Sequence, residues 1–156
     1  MTTLIKNADV RTIALGIQVS RAAAGLPATA AGNIFTISGG RILLVALIGQ
    51  VTTAVQNLAC SLSVNAVASA GSSLALCTGG SILAAPVGVH LSLPSSAASA
   101  LVTDLATGSG VQDVMTSAWL LDVGVINQQT TATVTGQVAW TMAYIPWDNG
   151  AQVVAA

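Results

Sequence analysis

The chain has 156 residues, the size of one domain, long enough to bury roughly two thirds of the surface its unfolded form exposes. Only 6% of residues are charged, against a usual ~25%, and glutamate is absent. The net charge is −1 with four scattered cations, which excludes the clustered Lys and Arg that nucleic-acid binding requires.

The start, MTTLIKNADVRT, lacks the long apolar core of a signal peptide, so a cytoplasmic origin is the default expectation. Residues 1–12 hold Lys6, Asp9 and Arg11, a third of the nine charges. They read either as an arm reaching a neighbouring subunit or as a frayed terminus, ahead of a single domain over 13–156. Residues 10–20 alternate Ile13, Leu15, Ile17 and Val19 against Thr12, Ala14, Gly16, Gln18 and Ser20, the period-two mark of a half-buried strand. RAAAGLPATAAG, 21–32, reads as a loop. NIFTIS, 33–38, reads as a short strand turned by Ser-Gly-Gly.

The run Ile42–Ile48 is wholly apolar, but Gly49, Gln50, Thr52 and Thr53 follow at once. A spanning helix needs about 20 apolar residues, so a membrane anchor is excluded. Periodicity does not separate a buried helix from a strand covered on both faces. The β-branched Val51, Thr52, Thr53 and Val55 favour an extended backbone, and Gly49 suggests a bulge or bend. Residues 41–56 are therefore expected to form one long strand, or two meeting at Gly49, with the first half covered on both faces.

Downstream, 58–67 alternates Leu58, Cys60, Leu62 and Val64 with Ser61, Ser63 and Asn65. Residues 74–77 precede a Thr-Gly-Gly turn, and 88–94 alternates Val89, Leu91 and Leu93 with His90 and Ser92. SSAASALVTDLAT, 95–107, reads as one short helix, with Ser95 or Ser96 as its N-cap and Gly108 past its end. Residues 131–144 place Val134, Val138, Trp140, Met142 and Tyr144 on one face, and 117–129 reads as their partner strand, with NQQT near the reversal. Pro146 ends the long strand, since it has no N–H to donate. Asp148-Asn149-Gly150 is a turn signal, and AQVVAA is a last short strand or an arm. Short strands between Gly-rich turns, with long connections at 21–32 and 95–108, predict an all-β fold: a jelly-roll-like β-sandwich or barrel.

No catalytic constellation is legible. His90 is the only histidine, it sits inside a strand pattern, and no G-x-S-x-G elbow accompanies it. It reads as a polar-face residue bonded to a neighbour or to water. One His, two separated Cys and scattered Asp give no zinc-ligand spacing. Asp113 and Asp122 read as strand-end solubility charges rather than a carboxylate pair. The Gly-Gly pairs at 39–40 and 79–80 are turns, not phosphate loops. Cys60 and Cys77 read as reduced, small, buried side chains, with a disulfide between them left open. Trp140 is expected in the core. Trp147, after a proline, reads either as an interface anchor or as packed within the chain. No cofactor, metal or enzymatic activity is expected.

A surface of Ser, Thr, Asn, Gln, Gly and Ala resists nonspecific association poorly. The simplest resolution is that other subunits cover much of it. Two blocks, FTISGGRILLVALIGQVTTAVQ and GQVAWTMAYIPWDNGAQVVAA, resemble small structural proteins of tailed bacteriophages. The shared pattern is an aromatic, a Gly-Gly turn, an apolar run and Ile-Gly-x-Val-Thr-Thr, then a Trp-containing strand, Tyr-x-Pro, an acidic-Gly turn and a Val-rich tail. The middle, 66–110, departs from it in being richer in Ala and Ser. The resemblance implies a virion component made in the host cytoplasm: a capsid decoration (cement) protein on the capsid surface, forming a homotrimer and binding the major capsid protein. It implies no contact with nucleic acid or membrane. A tail or fibre component is the alternative, and a carbohydrate-binding jelly roll a more distant one. The candidate interface residues are Lys6, Arg11, Trp147, Val153 and Val154.

Overall fold

In the computed structural model, residues 6–104 and 118–156 are described. A short helix, α1 (Asn7–Leu15), leads into twelve strands: β1 (Ile17–Gly25), β2 (Ala31–Ser38), β3 (Ile42–Thr53), β4 (Ser61–Ala68), β5 (Ser73–Ala75), β6 (Gly80–Ser81), β7 (His90–Ser92), β8 (Val102–Asp104), β9 (Trp119–Leu121), β10 (Gly124–Thr130), β11 (Gln137–Pro146) and β12 (Gln152–Ala155). They form two antiparallel sheets. One runs β1-β11-β3-β7-β8, with β9 also on β3; the other runs β12-β2-β10-β4-β5, with β6 also on β4. Early strands pair with late ones in nested order: β1 with β11, β2 with β10, β3 with β7, β4 with β5. This is one long hairpin rolled across two sheets, the jelly roll expected from the strand pattern.

The inner faces close over a single apolar core. Leu44, Leu47, Val51, Val138, Trp140 and Met142 from one sheet meet Phe35, Ile37, Leu62, Val64 and Ile126 from the other. The run that opened the question of a helix is one strand, β3, in the middle of its sheet. It has β11 along one edge and β9 and β7 along the other. Over 42–48 its inner residues are buried and its outer ones half-buried, whereas Gln50, Thr52 and Thr53 are exposed, which explains where the apolar stretch runs unbroken and where it stops. The bulges in its pairing with β11 fall near Val45 and Thr52. Gly49 instead makes room for a ring: a Cβ there would lie 2.9 Å from Cζ3 of Trp140.

Four expectations are corrected. Residues 10–15 belong to α1, not to a strand. The helix ends at Gly16, whose φ is +80° and whose N–H returns to the Thr12 carbonyl at 2.9 Å, a left-handed C-cap. The boundary at 12/13 therefore falls inside the helix. The alternation read over 10–20 is genuine only from Ile17, and β1 continues through Gly25 into what read as a loop.

The helix expected over 95–107 does not form in its described part. The Ser96 hydroxyl accepts from the Ala98 N–H at 3.3 Å, but it caps a turn. Thr78 then holds Ser99 and Leu101 extended through backbone bonds of 2.9 and 3.0 Å, leading into β8; residues 105–107 lie outside the described residues.

Residues 117–129 are not the partner of 131–144. β9 lies in the first sheet and β10 in the second, opposite β11 rather than beside it. β10 is laddered between β2 and β4 and β11 between β1 and β3, so the two stack across the core instead of sharing a ladder. Finally, the strand expected over 131–144 starts only at Gln137, with 131–136 crossing between the sheets. AQVVAA holds β12, on the edge of the second sheet.

Candidate interaction surface

Pairing fixes one end of the sandwich. Ile17 stands opposite Tyr144, Pro146 opposite Ile42, and Ile42 opposite Leu121. Ser38 stands opposite Gln152, and Gly124 opposite Ala68. The start of β1, the end of β11 and the turns around 39–41, 69–72, 122–123 and 147–150 therefore share this end.

Two turns there are joined by charge. The Arg41 guanidinium donates from Nε to Oδ2 of Asp148 and from a terminal nitrogen to Oδ1, both at 2.9 Å. The Arg41 N–H donates to the same carboxylate at 2.8 Å. In return, the N–H groups of Trp147 and Asp148 donate to the Arg41 carbonyl at 3.0 and 3.2 Å. The side-chain and backbone hydrogen bonds from Arg41 hold the Asp148 carboxyl down at about 2. The Asp148 hydrogen bond and charge raise Arg41 above its ordinary value, with a smaller contribution from Asp122. Arg41, Asp122, Asp148, Gly40 and the Ala68–Ala70 turn line an open cleft of about 350 Å³.

Beside this lies apolar surface. The described residues include thirteen large apolar side chains that are exposed. Eight belong to this end: Val10, Ile13 and Leu15 on α1, Ile17 at the start of β1, Leu120 and Val123 around β9, and Ile145 and Trp147 at the close of β11. Ile145, Leu43 and Leu120 are cross-strand neighbours on the outer face. A groove of about 340 Å³ runs between α1 and β11, lined by Thr12, Ile13, Gly16, Ile17, Ile145 and Pro146. The other five, Leu58, Leu74, Leu83, Val87 and Val154, are exposed elsewhere. On the second sheet, Asn33, Asn127 and Asn65 face one another across three strands, and the Asn65 amide donates to Asn127 Oδ1 at 3.5 Å.

The candidate interface residues fall in different places. Trp147 is 59% exposed, beside the Arg41–Asp148 pair. Val154 is exposed on β12, the edge strand, whereas Val153 is buried in the core and takes the Tyr144 hydroxyl as acceptor for its N–H at 3.3 Å. Lys6 is exposed just before α1, and Arg11 lies within α1. Ile13, Ile17, Leu120 and Ile145 were not singled out in the sequence. Their signal was the Ile-Pro-Trp sequence closing β11 and the Gly16 that turns α1 back onto it.

The other candidates lie away from this end. His90 is half-buried, with Nδ1 enclosed and unbonded, opposite Gln50 and Asp104. Cys60 and Cys77 are buried and free, and burial pushes the Cys77 thiol up to about 11. Asp113 lies outside the described residues. Among the described residues no three His, Cys, Asp or Glu side chains gather as a metal site, and no helix is long and apolar enough to cross a membrane. No protein-family model, no curated protein and no solved structure matches the chain.

Proposed function

We propose that this chain is a virion structural protein, a capsid decoration protein of the tailed-phage type. It acts by binding alone: three copies associate as a homotrimer that sits over contacts between major capsid subunits and holds the shell against internal pressure. The observation that carries this reading is the exterior. A jelly roll with 6% charged residues gathers eight of the thirteen exposed large apolar side chains among its described residues at one end, and such a surface is suited to being covered. The two sequence blocks that resemble phage structural proteins coincide with β2–β3 and β11–β12, the strands whose turns meet in the Arg41–Asp148 pair. Many copies on one shell would add avidity to a modest single contact. Adding the purified protein to particles that lack it, then heating them, tests the reading: the disruption temperature rises. An unchanged temperature at saturating protein overturns it.

A second reading rests on Trp147. An exposed ring beside a polar cleft suits stacking against a sugar, so the alternative is a carbohydrate-binding module. It is the weaker reading because a single ring makes a small platform. Tryptophan fluorescence titrated with oligosaccharides separates the two, since Trp147 is the exposed member of the described tryptophans.

A further inference from the structure

We propose that Asn149 is a site of spontaneous covalent modification: its side chain condenses with the Gly150 backbone nitrogen, at a rate that the Arg41–Asp148 pair controls. The inference concerns the turn between β11 and β12 and does not depend on the capsid reading.

The chemistry starts in the sequence. Of the asparagines in the chain, only Asn149 is followed by glycine. A following residue without a Cβ lets its backbone nitrogen swing onto the asparagine side chain. The Gly150 nitrogen bonds to Cγ of Asn149 and gives up its proton to base. The side-chain nitrogen leaves as ammonia, taking a proton from water, and a five-membered succinimide closes. Water then adds to one of the two imide carbonyls. Opening at the side-chain carbonyl leaves aspartate; opening at the main-chain carbonyl leaves isoaspartate, whose backbone is longer by one carbon. Water is the sole co-reactant, and nothing is oxidised or reduced.

The fold leaves the pair within reach of solvent but holds the reacting atoms apart. Asn149 is half-buried and Gly150 exposed. Among the described residues no backbone carbonyl holds the Gly150 N–H. The Ala151 N–H donates to the Asp148 carbonyl at 3.1 Å. Gly150 has a φ of +91°, whereas that of Asn149 is not positive. A hydrogen-bonded turn with positive φ at its third residue alone is a type II turn, whose second residue has ψ near +120°. That ψ turns the Gly150 nitrogen away from the Cβ–Cγ bond of Asn149. Ring closure needs the bond rotated by roughly a third of a revolution from this geometry, which breaks the bond from Ala151 to Asp148.

Two contacts resist the rotation. Arg41 grips the Asp148 carboxylate through three hydrogen bonds of 2.8–2.9 Å, and the N–H groups of Trp147 and Asp148 donate back to the Arg41 carbonyl. On the other side, the turn at 39–40 lies so close that a Cβ on Gly39 would collide with the Gly150 carbonyl oxygen. Asn149 therefore reacts when this lock opens, a local event that leaves the sandwich folded. The products work against its closing. Isoaspartate lengthens a turn that has no slack, and either product sets a second carboxylate beside Asp148.

The test is peptide mapping by mass spectrometry of the full chain kept at pH 8. The mass change of an amide replaced by an acid is expected at Asn149, in two products of equal mass with isoaspartate the larger. The chain unfolded in urea sets the unrestrained rate, and the folded wild type is expected to react about tenfold more slowly, because only its locally open fraction reacts. R41A recovers most of that difference. R41K, which keeps the charge and loses the fork, falls between. Q128L, which weakens the core away from this turn, leaves the folded rate unchanged and so separates opening of the lock from general loss of stability. A folded wild type as fast as the unfolded chain, R41A and R41K no faster than wild type, Q128L as fast as R41A, or first reaction at another asparagine each overturns the inference.

Discussion

At the scale of single residues, the clearest dependency is the one around Trp140. The ring is fully buried, and its Nε1–H donates to the Gln128 Oε1 at 3.0 Å, tying β11 to β10 across the core. The sequence placed Trp140 inside, because its alternation with Val138 and Met142 left no other face. It gave no sign of the partner, since Gln128 sits twelve residues away in the opposite sheet. Replacing Gln128 by Leu leaves an indole N–H buried without an acceptor, a cost of about 1–3 kcal/mol. For a chain of this length, thermal melting should fall by roughly 2–4 °C per kcal/mol. Gly49 is the other half of this arrangement. G49A drives a methyl into the Trp140 ring and should cost about 1–3 kcal/mol through overpacking, read from the urea midpoint; combined with a smaller ring in W140F, the penalty of the alanine should shrink. The cysteines give a third expectation. Both thiols are buried away from reagents, and Cys77, held at about 11, has little thiolate to react. At pH 8 a thiol reagent should label neither residue in the folded protein and both after denaturation.

At the scale of elements, strands were legible where burial alternated and illegible where the same alternation fitted a helix. Ile13 and Leu15 kept the rhythm of Ile17 and Val19 while belonging to α1. Gly16 was the informative residue, because its left-handed backbone ends a helix cleanly. The expected helix after Ser95 failed for the opposite reason: its capping residue was present, but Thr78 recruited the chain that followed. Partner choice was the least legible property. A core face on β10 and another on β11 say that both are half-buried, not whether they lie side by side or stacked. The turn at 148–150 was legible, but its lock onto Arg41 was not, since the two lie 107 positions apart. That lock predicts a pH dependence. The Asp148 carboxyl falls from an ordinary 3.8 to about 2 on folding, so its contribution is fully present above pH 4 and is lost as pH drops through 2. The stability difference between wild type and D148N, read from urea midpoints, should be constant from pH 7 to 5 and shrink steadily from pH 4 to 2. A difference that grows with acid would contradict this pairing.

At the scale of the whole molecule, the fold concentrates its needs at one end. Two stacked sheets satisfy the core, and amides and hydroxyls cover most of the exterior. The N-terminal helix and the close of the last long strand are left apolar. Composition alone signalled a surface poor in charge, with nine charges in the whole chain. Where exposed apolar side chains gather needed the topology, since the residues concerned come from opposite extremes of the sequence.

The rolled hairpin also dictates a timetable. Ser20 and Thr141 touch across β1 and β11 at a separation of 121 positions, so the ribosome must work for on the order of 10 s after making the first strand before its mate exists. Until then β1 and the long oily β3 wait with open ladders, the condition under which nascent chains cling to one another. Chains stalled before residue 137 should be digested readily by protease or be held by a chaperone, and those extended past 146 should resist.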